Sequence, residues 1–133
     1  MMENRRPASE APALQALDAF FAALNAGDAK ALYENINLPH VRISAGGVAI
    51  WPTLADLEES YLRDFSSRAG PDWDHSTLDS KEVIHSSENK VHVFIQFTRR
   101  DKNGGKIATH RSLWIMTRVS GRWGVQARSS FAP

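Results

Sequence analysis

Hydrophobic positions along this chain follow a helical rhythm first and a strand rhythm later. Leu14, Leu17, Phe21 and Leu24 recur at steps of three and four, and Phe20 widens the stripe; this spacing predicts an amphipathic helix after Pro12. Asn25-Ala26-Gly27 ends it, because glycine readily takes the left-handed conformation that closes a helix. Asp28 is placed to cap a short second helix carrying Ala31, Leu32 and Ile36, which Leu38-Pro39 terminates. Residues 41–44 and 48–51 flank a glycine loop, Ala45-Gly46-Gly47, and predict a hairpin. Thr53 opens a third helix with Leu54, Leu57, Tyr61, Leu62 and Phe65 on one face, closed by Gly70-Pro71.

From there the period changes to two. Residues 73–85, 90–100, 106–119 and 122–131 read as strands, and the short connectors between them are rich in turn residues. Sequential antiparallel pairing is the expected topology. Three helices and a hairpin followed by a meander describe an α+β domain: a strongly curved antiparallel sheet with the three N-terminal helices packed on it. Residues 1–12 are expected to be a flexible arm and residues 13–133 one domain. A curved sheet closed on one side by helices leaves a conical hollow, where pockets form.

Composition excludes more than it assigns. Net charge of +1 supplies no long-range field for nucleic acid or anionic lipid. No apolar run approaches the roughly 18 residues of a membrane span, and the start of the chain has no apolar signal core. Zero cysteines remove thiolate nucleophiles and Cys-based metal sites. The expectation is a cytoplasmic protein with no cofactor, no metal, no nucleic-acid partner and no membrane partner.

Two segments carry a family resemblance. The run from Phe20-Phe21 through Gly27-Asp28 to Leu32 is similar to the aromatic helix, Gly-Asp break and short second helix that open NTF2-like domains. The run from Gly121 through Trp123 and Val125 to Ser129-Ser130 is similar to their terminal strand. In this order and spacing, residues 13–131 resemble the NTF2-like (nuclear transport factor 2) superfamily, its SnoaL-like branch in particular. That resemblance implies a cone-shaped fold and spans isomerases, cyclases, dehydratases, hydrolases and non-catalytic binding modules. It also places the oxyanion tyrosine of the ketosteroid isomerases at Phe20, their aspartate base near Ser44, and a second acid near Leu113. Phenylalanine donates no hydrogen bond and serine is a poor base, so that chemistry is not expected here.

The same counting directs Gln126, Arg128 and Ser130 of the last strand into the cone, with Arg111 and Leu113 beside them and His92, Phe94 and Gln96 one strand further. Trp114, Trp123, Val93, Ile95 and Phe97 then fall on the outer face. An apolar outer face of that size implies a homodimer through it. Arg128 with Gln126, Ser130 and Arg111 reads as a clamp for a carboxylate or carbonyl, or else as an ion pair with Glu34, Asp56 or Glu58 or a simply solvent-exposed group. His92 is the imidazole best placed to act as a base, and a hydrogen-bonded structural role is the alternative. Tyr61, Trp51 and Trp73, together with Phe65, suit the mouth of the cone as walls for a flat organic ligand, or as core. No histidine pair has metal spacing. The serines lack a nucleophile elbow, and no glycine loop is built to cradle phosphate. Two functions follow: a binding or regulatory module for a small organic ligand, or a cofactor-free lyase, isomerase or hydrolase. A third is an association domain whose hollow is filled by its own side chains.

Overall fold

The computed structural model describes residues 8–132. The first seven positions of the expected arm, and Pro133, lie outside that range. Helix α1 (Glu10–Ala26) starts ahead of Pro12, since a proline in the first turn forgoes only a donor that has no partner there. Ser9 Oγ donates to the Ser87 carbonyl (2.7 Å) and Ser86 Oγ donates to the Glu10 carboxylate (2.7 Å), so this end of the helix is fastened to the sheet. Gly27 closes α1 with φ 67°. The Asp28 carboxylate accepts from Ala31 N–H (3.1 Å) and caps α2 (Ala29–Glu34).

The second helix is shorter than the sequence pattern predicts, and Ile36 opens strand β1 (Ile36–Ser44) instead. The Arg122 guanidinium donates to the carbonyls of Glu34 and Ile36 and to the Asn37 side chain, and Val125 N–H donates to the Asn35 carbonyl. Carbonyls that a longer helix would use internally are thereby drawn into the sheet. Strand β2 (Gly47–Trp51) completes the predicted hairpin. Helix α3 (Leu54–Ala69) begins with a reciprocal box in which Thr53 and Asp56 cap each other's backbone N–H.

Strands β3 (His75–Ser86), β4 (Lys90–Arg100), β5 (Lys106–Val119) and β6 (Arg122–Ser130) form the predicted meander. All six strands join one open sheet in the order β2-β1-β6-β5-β4-β3. The meander and the hairpin are antiparallel within themselves, and β1 lies parallel to β6. Three helices on this sheet give the α+β cone.

The faces of the middle strands are opposite to those the sequence counting assigned. Arg128 pairs with Trp114 and Ser130 with Ser112, and directly paired residues share a face. With Arg128 inward, Trp114 is inward too, packed edge-on against Phe20 (4.8 Å) and stacked on Phe21 (5.5 Å). Val93, Ile95 and Phe97 line up with it and are buried; Trp123 packs against the same core. Arg111, Leu113, His92, Phe94 and Gln96 therefore occupy the outer face. The irregularity lies between Ile115/Met116 and Ala127/Val125, leaving Gln126 as the extra residue. A single inserted residue reverses every side chain beyond it.

Gly124 and His40 are tightly constrained by their surroundings. Gly124 passes the start of β1 so closely that an added Cβ would lie 3.0 Å from the Asn35 carbonyl carbon and 3.1 Å from Asn37 N. Gly124→Ala is expected to destabilise the fold by about 1–3 kcal/mol, read as a lower urea midpoint with an unchanged slope. His40 is fully buried, its Nδ1 donating to the Val125 carbonyl (3.2 Å). Burial, and then the Arg128 charge, push its pKa from 6.5 down to about 3. Between those values the unfolded chain binds a proton that the folded ring refuses. The stability tied to the neutral ring is thus complete above 6.5 and declines as pH falls toward 3. At most the loss is about 1.4 kcal/mol per pH unit. Denaturation of the wild type and His40→Gln across this range should show the difference between them shrinking on acidification.

Candidate functional site

Four arginines from four different elements meet inside the cone: Arg42 from β1, Arg68 from the last turn of α3, Arg99 from β4 and Arg128 from β6. Each sits on the buried side of its element. Arg68 continues the helical stripe of Leu57, Tyr61 and Phe65, all buried. Arg99 extends the alternate row Val91, Val93, Ile95, Phe97 and is only 4% exposed. Arg128, 8% exposed, lies between Arg42 on one neighbouring strand and Trp114 on the other.

Around them stand Phe20, Phe21 and Leu24 of α1, Tyr61 and Phe65 of α3, and Phe97 and Trp114 of the sheet, with Ser76, Ser112 and Ser130 between. The space left is narrow, about 30 Å³ for the centre of a water-sized sphere. That is room for roughly two waters. Among the described residues that line it there is no carboxylate and no imidazole.

The guanidinium groups are unequally partnered. Arg42 donates to Ser44 Oγ (3.1 Å) and to the Ala132 carbonyl (3.3 Å). Arg68 Nε, Arg99 Nε, and Nε and Nη2 of Arg128 are buried with no hydrogen-bond partner among the described residues, as is Trp114 Nε1. Their neighbours are rings. Arg128 lies 5.2 Å from the Trp114 centroid, 5.6 Å from Tyr61 and 5.8 Å from Phe20. Arg99 lies 5.6 Å from Phe65 and 5.7 Å from Phe97, and Arg68 5.8 Å from Phe65. Such contacts are worth about 2 kcal/mol when desolvated, against several kcal/mol to desolvate each ion. Ring faces thus offset part of the burial and none of the mutual repulsion. Burial, followed by the neighbouring Arg68 and Arg128 charges, lowers Arg42 and Arg99 to about 10. Arg68 is lowered by burial and then by Arg128. At neutral pH Arg42 and Arg99 stay cationic.

Of the residues singled out from sequence, Arg128, Ser130 and Tyr61 line this cavity. Trp51 and Trp73 stand one layer behind: Trp51 packs on Tyr61 (5.1 Å) and donates to Ser60 Oγ, while Trp73 packs on Phe65 (5.0 Å) and donates to Ser76 Oγ. Gln126 accepts from Thr117 Oγ1 (2.9 Å), away from the cavity. Arg111 and His92 are on the outer face, where His92 pairs with His85. Nor does Arg128 meet Glu34, Asp56 or Glu58 in an ion pair; Asp56 is engaged with Thr53. Among the described residues no group of three His, Asp or Glu side chains converges as a metal site.

The outer face carries two in-register apolar rows. Ile50, Val41, Ala127 and Ile115 lead to His92 and His85; Val48, Ile43, Ser129, Leu113 and Phe94 lead to Glu82. Val48 is 64% exposed, Ile50 58% and Ile43 49%. No described helix is long and apolar enough to cross a membrane.

No protein-family model matches the sequence, and no curated protein matches it. Solved structures do match. A protein of unknown function with a cystatin-like fold from Nostoc punctiforme aligns over 93% of this chain and 90% of its own, with TM-score 0.74 and 8% identity. A ketosteroid isomerase-like protein from Erwinia carotovora atroseptica aligns over 94% and 96%, with TM-score 0.70 and 20% identity. An NTF2-like protein of unknown function from Shewanella oneidensis aligns over 89% and 94%, with TM-score 0.67 and 17% identity. Element order, sheet topology and these similarities agree: the chain has the NTF2-like superfamily fold.

Proposed function

We propose that this chain is a SnoaL-like, non-catalytic binding or regulatory module of the cytoplasm that takes a small organic molecule into the arginine-lined cone. The observation that carries this reading is the set of buried N–H donors on Arg68, Arg99 and Arg128 that line one cavity and find no acceptor among the described residues. Buried donors are satisfied in nearly all folded proteins, so a set left over beside a cavity marks a place for an acceptor from outside. Binding is favoured over the lyase, isomerase or hydrolase alternative because the described lining residues include no carboxylate or histidine to move a proton. His92, the base considered from sequence, faces away from the cone. Native mass spectrometry of the purified protein is expected to reveal a bound small molecule, or thermal-shift screening to find one. A chain free of organic ligand that responds to none would contradict this function.

The second part of the proposal is a homodimer through the outer sheet face. Its support is the pair of exposed apolar rows, in place of the tryptophans that the sequence counting put there. A six-stranded sheet about 24 Å across and about 33 Å along its strands presents roughly 800 Å², the area each partner of a standard interface buries. Light scattering should give twice the chain mass for the wild type and the single mass for Ile43→Arg/Ile50→Lys with its fold retained. A wild type that is monomeric at tens of micromolar would contradict the pairing.

A further inference from the structure

We infer that the occupant of the cone is a small carboxylate, its two oxygens accepting from Arg68, Arg99 and Arg128 and its body extending past Arg68 toward the solvent. This rests on the reading of the cone as a binding site and names the chemistry of what fills it. Arg68, Arg99 and Arg128 line the cavity with no acid among its described lining residues. The unsatisfied atoms of those lining residues are all N–H donors, the Trp114 indole included; the unsatisfied acceptor His40 Nε2 lies outside the lining. A neutral amide or alcohol brings its own donors into such a site and leaves repulsion among the cations untouched. An anion accepts from several donors at once and supplies the missing counter-charge.

Size selects within the anions. Space for roughly two waters matches the two oxygens of a carboxylate better than the four of a tetrahedral oxyanion. The planar guanidinium fork also suits a carboxylate. Shape gives the direction of the rest. Arg42 and Arg68 line both the inner cavity and an outer groove of about 370 Å³ between the tip of the β1–β2 hairpin and the C-terminal half of α3. A molecule with its carboxylate inside and a compact organic body between the hairpin and Ser67 occupies both spaces. The aromatic side chains around the head exclude water, which strengthens each charge-assisted hydrogen bond.

The test compares sodium benzoate and hexanoate with benzamide, sulfate, phosphate and chloride at equal ionic strength, by calorimetry and by thermal unfolding. Carboxylates are expected to raise the unfolding midpoint by about 5–10 °C at a hundredfold excess over Kd, and benzamide to leave it unchanged. Arg128→Gln and Arg99→Gln should weaken carboxylate binding at least tenfold. In the absence of ligand each should hold or raise the midpoint, because it removes an uncompensated buried charge; an arginine with a merely structural role would lower it on substitution. If either variant fails to fold, the other and Arg68→Gln carry the comparison. Equal binding of benzamide and benzoate, each weakened by the arginine substitutions, overturns the carboxylate while leaving the cone as a binding site; binding that responds to no arginine substitution overturns the cone as well. Tighter binding of sulfate or phosphate overturns it as well. Failure of every organic probe, charged or neutral, overturns the underlying binding reading.

Discussion

A guanidinium group taken out of water without a counter-ion costs several kcal/mol, and this fold brings several such groups to one small cavity. The arrangement persists because each cation lies against aromatic faces rather than bare aliphatic wall. Trp114, Tyr61 and Phe20 surround Arg128, while Phe65 and Phe97 flank Arg99. Those rings come from α1, α3, β4 and β5 and the cations from β1, α3, β4 and β6, so the electrostatic problem at the centre is shared by six of the nine described elements. His40 shows the same field from the side: Arg128 adds to burial in keeping that ring neutral. The polarity of the site is therefore a property of the assembled fold. It also leaves a stability reserve that any suitable acceptor can release on binding.

Much of the architecture was legible in the chain because local signals agreed with one another. The Gly27-Asp28 break, the Thr53 cap and the turn residues between the meander strands each point to the element observed there. The second helix was misjudged where tertiary contacts won. Nothing local announces that Arg122, far along the chain, takes the carbonyls of Glu34 and Ile36. Strand faces were misjudged for a different reason. Trp123 and Val125 share the inner face, and so do Arg128 and Ser130, which simple alternation forbids unless one residue is inserted between them. Gln126 is that residue, and alternation across β6 carries no mark of it.

The candidate site was legible in part. Arg128, Ser130 and Tyr61 were reachable from the terminal strand and the third helix. Arg42, Arg68 and Arg99 were missed as site residues, though two of them carried a signal. Arg99 stands in phase with Val91, Val93, Ile95 and Phe97, and Arg68 in phase with Leu57, Tyr61 and Phe65. An arginine on the apolar phase of its element is a buried cation in waiting, and two on separate elements call for a common counter-charge. Arg42 gave no comparable sign, because its apolar neighbours Val41 and Ile43 face outward. That Arg42 reaches Arg128 depends on β1 lying parallel to β6, a long-range pairing that local pattern does not specify.

The most direct test of the central claim follows the arginine side chains themselves. In a ¹⁵N–¹H spectrum of the guanidinium Nε–H groups, Arg68, Arg99 and Arg128 should appear as slowly exchanging resonances shielded from water. On saturation with sodium benzoate these three should shift together, while the outer-face Arg111 stays in place. Resonances that exchange freely with water, or that ignore the carboxylate while it binds elsewhere, would contradict the account.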